Sequence, residues 1–233
     1  FEEVSFGPIL YGAKKLGMHI HTRYEVSNNA GQDICDIVNN EGFDFLLVGS
    51  GISMSDSPDD IAATRYRTSF YNRYFKRFKA PESWFYPGAL LKDKTKMFIA
   101  RSNCDVGVFI NRNFVKATNT LVVISSEEDL FLLDYTRTLL KATHGSVGIV
   151  AKMSTTTPGH DQILKELWDF VSSIPQTQLL PDKDLTPGLF NSYNFMLIGY
   201  NTWNDVSEHR KEALQKMPST LILNKNRRSS SDN

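Results

Sequence analysis

The sequence predicts an α/β fold made of two related units with mainly parallel sheets, the first unit incomplete and carrying an insertion. Two observations predict it. First, a segment recurs: Gly42-Phe43-Asp44-Phe45-Leu46-Leu47-Val48-Gly49 is echoed by Ser192-Tyr193-Asn194-Phe195-Met196-Leu197-Ile198-Gly199. Each copy is a buried strand ending in glycine, then a helix, then a second buried strand ending in asparagine and a cation, Asn111-Arg112 or Asn224-Lys225. Repetition of this kind marks a duplicated supersecondary unit. Second, the strand-length apolar runs are continuous rather than alternating, which suits parallel strands covered on both faces.

Taken in order, residues 5–16 carry Phe6, Ile9, Leu10 and Leu16 and are compatible with a short helix. Met18 to Val26 alternates and predicts a strand. A helix opened by Asn29 or Gly31 runs through Val38, with Ile34, Ile37 and Val38 on one face, and Glu41-Gly42 ends it. Phe43 to Val48 is the repeated strand. Residues 52–95 interrupt the pattern: Ser53 to Asp60 is polar, Ile61 to Lys79 has helical spacing, and Ala80 to Gly88 is irregular. Lys94 to Arg101 is a helix and Val106 to Ile110 a strand.

Residues 114–119 form a linker, and Leu121 to Ile124 opens the second unit as a strand. Glu127 to Ala142 is the strongest helical stretch; Ser126 can cap it, and Glu127, Glu128 and Asp129 suit its positive end. Gly145 to Val150 is a strand. His160 to Ser173 is a helix with Ile163, Leu164, Leu167, Trp168 and Val171 on one face. Gln176 to Leu180 is a short strand, and Asp182 to Asn191 a weak connection before the second copy of the repeat. The units are thus residues 1–113 and 120–225, with 226–233 a polar tail expected to be disordered. The first unit lacks the strand, helix and strand that open the second.

Composition narrows the function. Net charge is zero over 233 residues, 41% of them apolar and 22% charged. That balance argues against nonspecific nucleic-acid binding, which needs a basic excess. Cys35 and Cys104 are the two cysteines, expected to be unpaired buried thiols of a reducing compartment. No apolar run approaches the roughly 20 residues that cross a bilayer. The chain opens at Phe1 without methionine, so a longer parent protein is expected.

Cys104-Asp105-Val106-Gly107-Val108-Phe109-Ile110-Asn111-Arg112, behind the helix holding Phe98 and Ile99, resembles the Ala-Pro-Cys-Ser-Val-Gly-Ile-Leu-Val-Asp-Arg-Gly stretch in the cytosolic tails of plant and fungal cation/proton exchangers. Phe43 to Gly49, Leu121 to Ser125 and Phe131 to Arg137 fit the same tails. The resemblance covers most of residues 1–225 and points to the fungal potassium/proton antiporters of Golgi and endosomal membranes. It implies tandem universal-stress-protein-like halves. It implies a non-catalytic regulatory domain on the cytosolic face of an internal membrane, whose partners are the transmembrane transport domain of the same polypeptide and a second copy in a homodimer. A stand-alone nucleotide-binding stress protein is the alternative.

Two candidate sites follow. Gly49, Ser50 and Gly51 lie where open α/β sheets bind ligands, beyond the carboxyl end of a strand. They suit either an adenine-nucleotide pocket or a plain strand-end turn. The phosphate-binding pattern of stress-protein nucleotide binders is not intact, because Ile52 or Ser53 stands at its second glycine. The other candidate is the cationic aromatic stretch 61–86, where Tyr66, Phe70, Tyr74, Phe78 and Trp84 could pack internally, form an interface or lie on an anionic membrane. His19 and His21 share a strand face without a third ligand and are expected to face solvent. No Gly-x-Ser-x-Gly elbow is present, and no catalytic residue or metal site is assigned.

Overall fold

The computed structural model describes residues 2–49, 94–153, 155–181, 185–209 and 216–226. The elements are α1 (Glu2–Lys15), α2 (Ala30–Glu41), β1 (Phe45–Gly49), α3 (Lys94–Arg101), β2 (Asp105–Ile110) and β3 (Asn119–Ile124), then α4 (Leu132–Thr143), β4 (Ser146–Ala151), α5 (His160–Ser173), β5 (Thr177–Pro181), α6 (Pro187–Phe190), β6 (Phe195–Gly199), α7 (Tyr200–His209) and β7 (Ser219–Asn224). The seven strands form one sheet in the order β1-β2-β7-β6-β3-β4-β5. Every neighbouring pair is parallel except β2 and β7. The architecture is therefore α/β with a mostly parallel sheet.

The two copies of the repeat have the same register. Phe45 faces Asp105 and Gly49 faces Phe109; Phe195 faces Ser219 and Gly199 faces Leu223. The halves join edge to edge, with Val106 opposite Asn224 and Ile110 opposite Thr220. That antiparallel seam makes one sheet of both units, a point the sequence left open.

Alternation along each strand sends neighbouring residues to opposite faces. Val122 and Ile124 pack with Leu132, Leu140, Ile163 and Leu167 from α4 and α5. Leu121 and Val123 pack on the other face with Phe190, Trp203 and Val206 from α6 and α7. Helices on both faces explain why the strands read as unbroken apolar runs. A smaller cluster of Cys35, Phe98 and Val106 holds α2 and α3 against the first unit.

Local signals placed several boundaries. The Asn29 side chain accepts a hydrogen bond from the Gln32 amide at 3.3 Å. Gly42, at φ 68°, ends α2 in the left-handed conformation that glycine adopts without steric penalty. Helices Lys94–Arg101 and His160–Ser173 lie where periodicity put them.

Three expectations are corrected. Met18 to Val26 is not a strand: no strand pairs with it among the described residues, and Met18, Tyr24 and Val26 are exposed. Alternation supplies strand propensity, but a strand forms only where a neighbour completes its hydrogen bonds. The long helix after β3 does not begin at Glu127. Glu127–Asp129 is a single 3-10 turn, the Ser126 side chain makes no capping bond, and α4 starts at Leu132. Trp168 is exposed, and Phe170 joins Ile163 and Leu167 as the buried face of α5.

Polar contacts also tie the second unit to the first, those of Asp105 among them. The Tyr135 hydroxyl on α4 donates to Asp105 Oδ2 at 2.9 Å, and the Asn226 amide donates to Asp105 Oδ1 at 2.7 Å. Burial, and then the bond to Asp105, pushes the Tyr135 phenol well above its ordinary value, so it stays a neutral donor. Tyr135→Phe should destabilise the chain by about 1–2 kcal/mol, because Asp105 loses a donor it was desolvated to meet. Urea unfolding checks this; an unchanged midpoint would show that the contact does not stabilise the seam.

Cys35 and Cys104 are both free and buried, and burial pushes each thiol pKa up. Neither should react with a soluble thiol reagent at neutral pH until the chain unfolds, since the thiolate is the nucleophile. Rapid labelling of the native chain would contradict this.

Candidate functional site

An open sheet of this topology has a switch point. From β3 the chain steps outward to β4, whereas β6, on the other side of β3, leads to β7. The helical connections diverge there and leave a crevice at the carboxyl ends of the strands. A cleft of about 460 Å³ occupies that position, lined by Glu127, Glu128, Asp129, Asp134, Gly199, Tyr200, Asn201 and Lys225, among others.

Asp129 is the centre of the site. It sits in the 3-10 turn after β3 and is 2% exposed. Its Oδ2 accepts from the Ser125 amide at 2.8 Å, the Ser125 hydroxyl at 3.2 Å and the Thr202 hydroxyl at 2.6 Å. The Ser125 and Thr202 hydroxyls also contact each other. The carboxylate thus bridges the end of β3 to the first turn of α7. Its other oxygen lies over Gly199, where an added Cβ would come within 1.9 Å of Oδ1. Gly199 is required by this close approach.

Around this buried carboxylate the rim is acidic. Glu127, Glu128 and Asp134 are exposed, and Asn201 Nδ2 donates to Glu128 Oε2 at 2.8 Å. Lys225 is the one cation among the lining residues. Nearby, Lys152 at the end of the β4 segment pairs with Asp205 on α7 at 2.9 Å. That bond holds the Asp205 carboxyl below its ordinary pKa. Asp134 is paired with Arg137 at 3.1 Å, so Glu127, Glu128 and Asp129 against Lys225 leave the described lining with a negative excess, which opposes polyphosphate and suits a neutral or cationic ligand.

The structure places the sequence-predicted candidates unevenly. Gly49 ends β1 and is exposed; Ser50 and Gly51 lie outside the described residues. Tyr66, Phe70, Tyr74, Phe78 and Trp84, with residues 52–93 of the 52–95 insertion, also lie outside them. His19 and His21 are exposed, as expected of solvent-facing histidines. Among the described residues a cleft forms beside Gly199, the repeat counterpart of Gly49. Sequence reading treated Glu127, Glu128 and Asp129 as helix-dipole partners and missed Asp129 as a buried acceptor. The available signal was position: an acid four residues after Ser125 at the end of the central strand, facing a strand-end glycine. Among the described residues no group of three His, Cys, Asp or Glu side chains could hold a metal ion, and no helix is long and apolar enough to cross a membrane.

No family model matches the chain, and no curated protein matches it. Solved structures do. The chain is similar to a universal stress protein from Archaeoglobus fulgidus DSM 4304, with 11% identity, a TM-score of 0.55, and coverage of 97% of this chain and 77% of that one. It is also similar to a putative universal stress protein from Pseudomonas aeruginosa UCBPP-PA14, with 10% identity, a TM-score of 0.50, and coverage of 97% and 79%. At these identities the likeness concerns architecture: the chain has a universal-stress-protein-like α/β fold.

Proposed function

We propose that the chain is a regulatory domain of a membrane potassium/proton antiporter, modulating cation/proton exchange from the cytosolic face through dimerisation or ligand sensing. The observation that carries this reading is the switch-point cleft. It is concave and built around a buried carboxylate whose Oδ2 accepts three hydrogen bonds, yet its acidic rim opposes the phosphates of a nucleotide. Such a cleft suits a module that responds to a neutral or cationic ligand or to protein contact. The sequence resemblance to exchanger tails supplies the transport context, and the stress-protein-like fold is compatible with it.

The test is exchange activity. The full-length antiporter and a form lacking residues 1–225 are reconstituted at equal amounts, and potassium-driven proton movement is measured. Altered exchange with the membrane part intact supports the reading; identical exchange under all conditions sinks it. A thermal-shift titration with AMP, ADP, ATP and NAD separates the stand-alone nucleotide binder, because a ligand that binds the native state raises the melting temperature by mass action. A saturable shift that is lost on altering the Gly49 or Gly199 strand end favours that alternative.

A further inference from the structure

Helix α5 carries more apolar surface than its own sheet covers. Ile163, Leu167 and Phe170 are buried. Leu164, Trp168 and Val171 form a second row beside them, at the i, i+4, i+7 spacing of one helix flank. Leu164 and Val171 are half-buried, and Trp168 is 52% exposed. Phe170 shows which way this row faces. Its ring meets the Arg137 guanidinium of α4 at 5.3 Å, and at 3.6 residues per turn the Leu164–Trp168–Val171 row lies on the flank away from α4. That flank stands over β5, the strand that ends the sheet order on this side.

The edge of β5 offers little to a long partner strand. The Val147 amide of β4 donates to Gln176 O at 2.9 Å. Alternation therefore turns Gln178 and Leu180 toward β4 as well, and leaves Thr177, Leu179 and Pro181 facing outward. The Thr177 amide is bonded to Ile174 O at 3.0 Å, and Pro181 has no amide hydrogen. Leu179 is the outward residue that presents both a donor and an acceptor. Beyond Pro181, Leu185 is buried with Phe190 on the opposite face of the sheet from α5, so the chain leaves β5 across the sheet and not along its edge. Residues 50–93 leave from β1 and return at α3. β1 is at the other end of the seven-strand order, six inter-strand steps or about 29 Å from β5.

We infer that the outer flank of α5 and the edge of β5 form a two-fold interface with a second copy of the chain, centred on Trp168. A two-fold axis beside Leu179 sets its N–H and C=O against those of the same residue in the other copy, so the one competent edge position pairs with itself. That axis stands half an inter-strand step beyond β5. Helix α5 joins β4 to β5 and packs with Ile149 and Leu179, about one step from the axis. The two α5 helices then run antiparallel about 9–10 Å apart, a helix-packing distance. Leu164 and Val171 lie on either side of Trp168, so Leu164 of one copy meets Val171 of the other. Beside the row Asp161 and Lys165 are exposed and opposite in sign. A copy therefore meets no repulsion, whereas an anionic membrane or a strongly charged protein finds no complementary field. The chain already uses this kind of joint, since its two units meet by antiparallel edge pairing of β2 with β7. The inference goes beyond the proposed function, because the pairing belongs to the chain itself and is measured without transport.

The experiment is sedimentation equilibrium of the purified chain over about 1–100 μM, the range in which a modest interface associates. The mass should rise with concentration toward twice 26.4 kDa. Trp168→Ala should weaken association by about tenfold or more, and Trp168→Glu should leave a monomer, because a central tryptophan carries much of an interface's energy. Both variants should keep the wild-type melting curve, since the side chain is exposed. A chain that stays monomeric throughout would overturn the inference. So would a dimer that persists unchanged in Trp168→Glu, which would place the contact elsewhere. A second readout needs no variant. Hydrogen exchange at the Leu179 amide should slow as the chain concentration rises. Exchange there that is independent of concentration, in a sample that dimerises, would count against the inference. Neither measurement bears on cation exchange, so this inference and the proposed function fail separately.

Discussion

Trp203→Ala is expected to lower the unfolding free energy by about 3–5 kcal/mol, the largest single-residue effect in the chain. Trp203 is fully buried on α7 and packs in the cluster that includes Ile198 of β6, Ile110 of β2 and Ile222 of β7. Those strands come from both halves, so the cavity would open beneath the seam as well as beneath the cleft. Truncation removes the transfer free energy of the indole and leaves a void that the sheet cannot close, because the strands around it are held by their ladders. Trp203→Phe keeps much of the apolar volume and should lose distinctly less. Urea unfolding followed by circular dichroism gives the comparison. A loss below about 1 kcal/mol for Trp203→Ala would show that α7 does not anchor the second unit.

The second large effect belongs to the cleft. Asp129→Ala removes the acceptor of the Ser125 amide, the Ser125 hydroxyl and the Thr202 hydroxyl. Leaving such donors buried without a partner should cost about 1–3 kcal/mol. Gly199→Ala should cost a similar amount, about 1–3 kcal/mol of overpacking, because its Cβ would press into Asp129 Oδ1. The informative measurement is the double mutant. With Asp129 truncated, the new methyl has room, so the combined loss should fall short of the sum by about 1 kcal/mol or more. Strict additivity would mean that Gly199 is constrained by something other than the carboxylate. Because Thr202 lies in the first turn of the helix beside the cleft, both variants should also alter the response to any ligand found there, while Tyr135→Phe at the seam should not.

A universal-stress-protein-like fold is compatible with a regulatory or a stress-protein domain. Fold alone assigns no activity, since one architecture hosts unrelated functions. The site chemistry discriminates: a carboxylate-rimmed crevice beside an occupied polar triad differs from a phosphate cradle of backbone amides. It follows that the nucleotide titration and the exchange measurement probe separate properties of the chain.

Much of the fold was legible from local information. The repeat at Phe45–Gly49 and Phe195–Gly199, the helices Lys94–Arg101 and His160–Ser173, and the stop at Gly42 each follow from interactions within a few residues: periodicity, capping and backbone freedom. Burial of both thiols was likewise readable, since each lies beside an apolar run. Tertiary structure decided the rest. Whether Met18–Val26 becomes a strand depends on a neighbour and not on its own alternation, because backbone hydrogen bonds in a sheet are made between segments. Whether Asp129 decorates a helix end or is buried as an acceptor depends on Thr202 and Gly199, more than 60 residues away in the chain. Whether the halves stand apart or share one sheet depends on the antiparallel meeting of Val106 with Asn224, an edge pairing that neither repeat encodes by itself. The sequence by itself determined the repeat and its local elements; only the assembled sheet decided the seam and the cleft, because those rest on contacts between residues far apart along the chain.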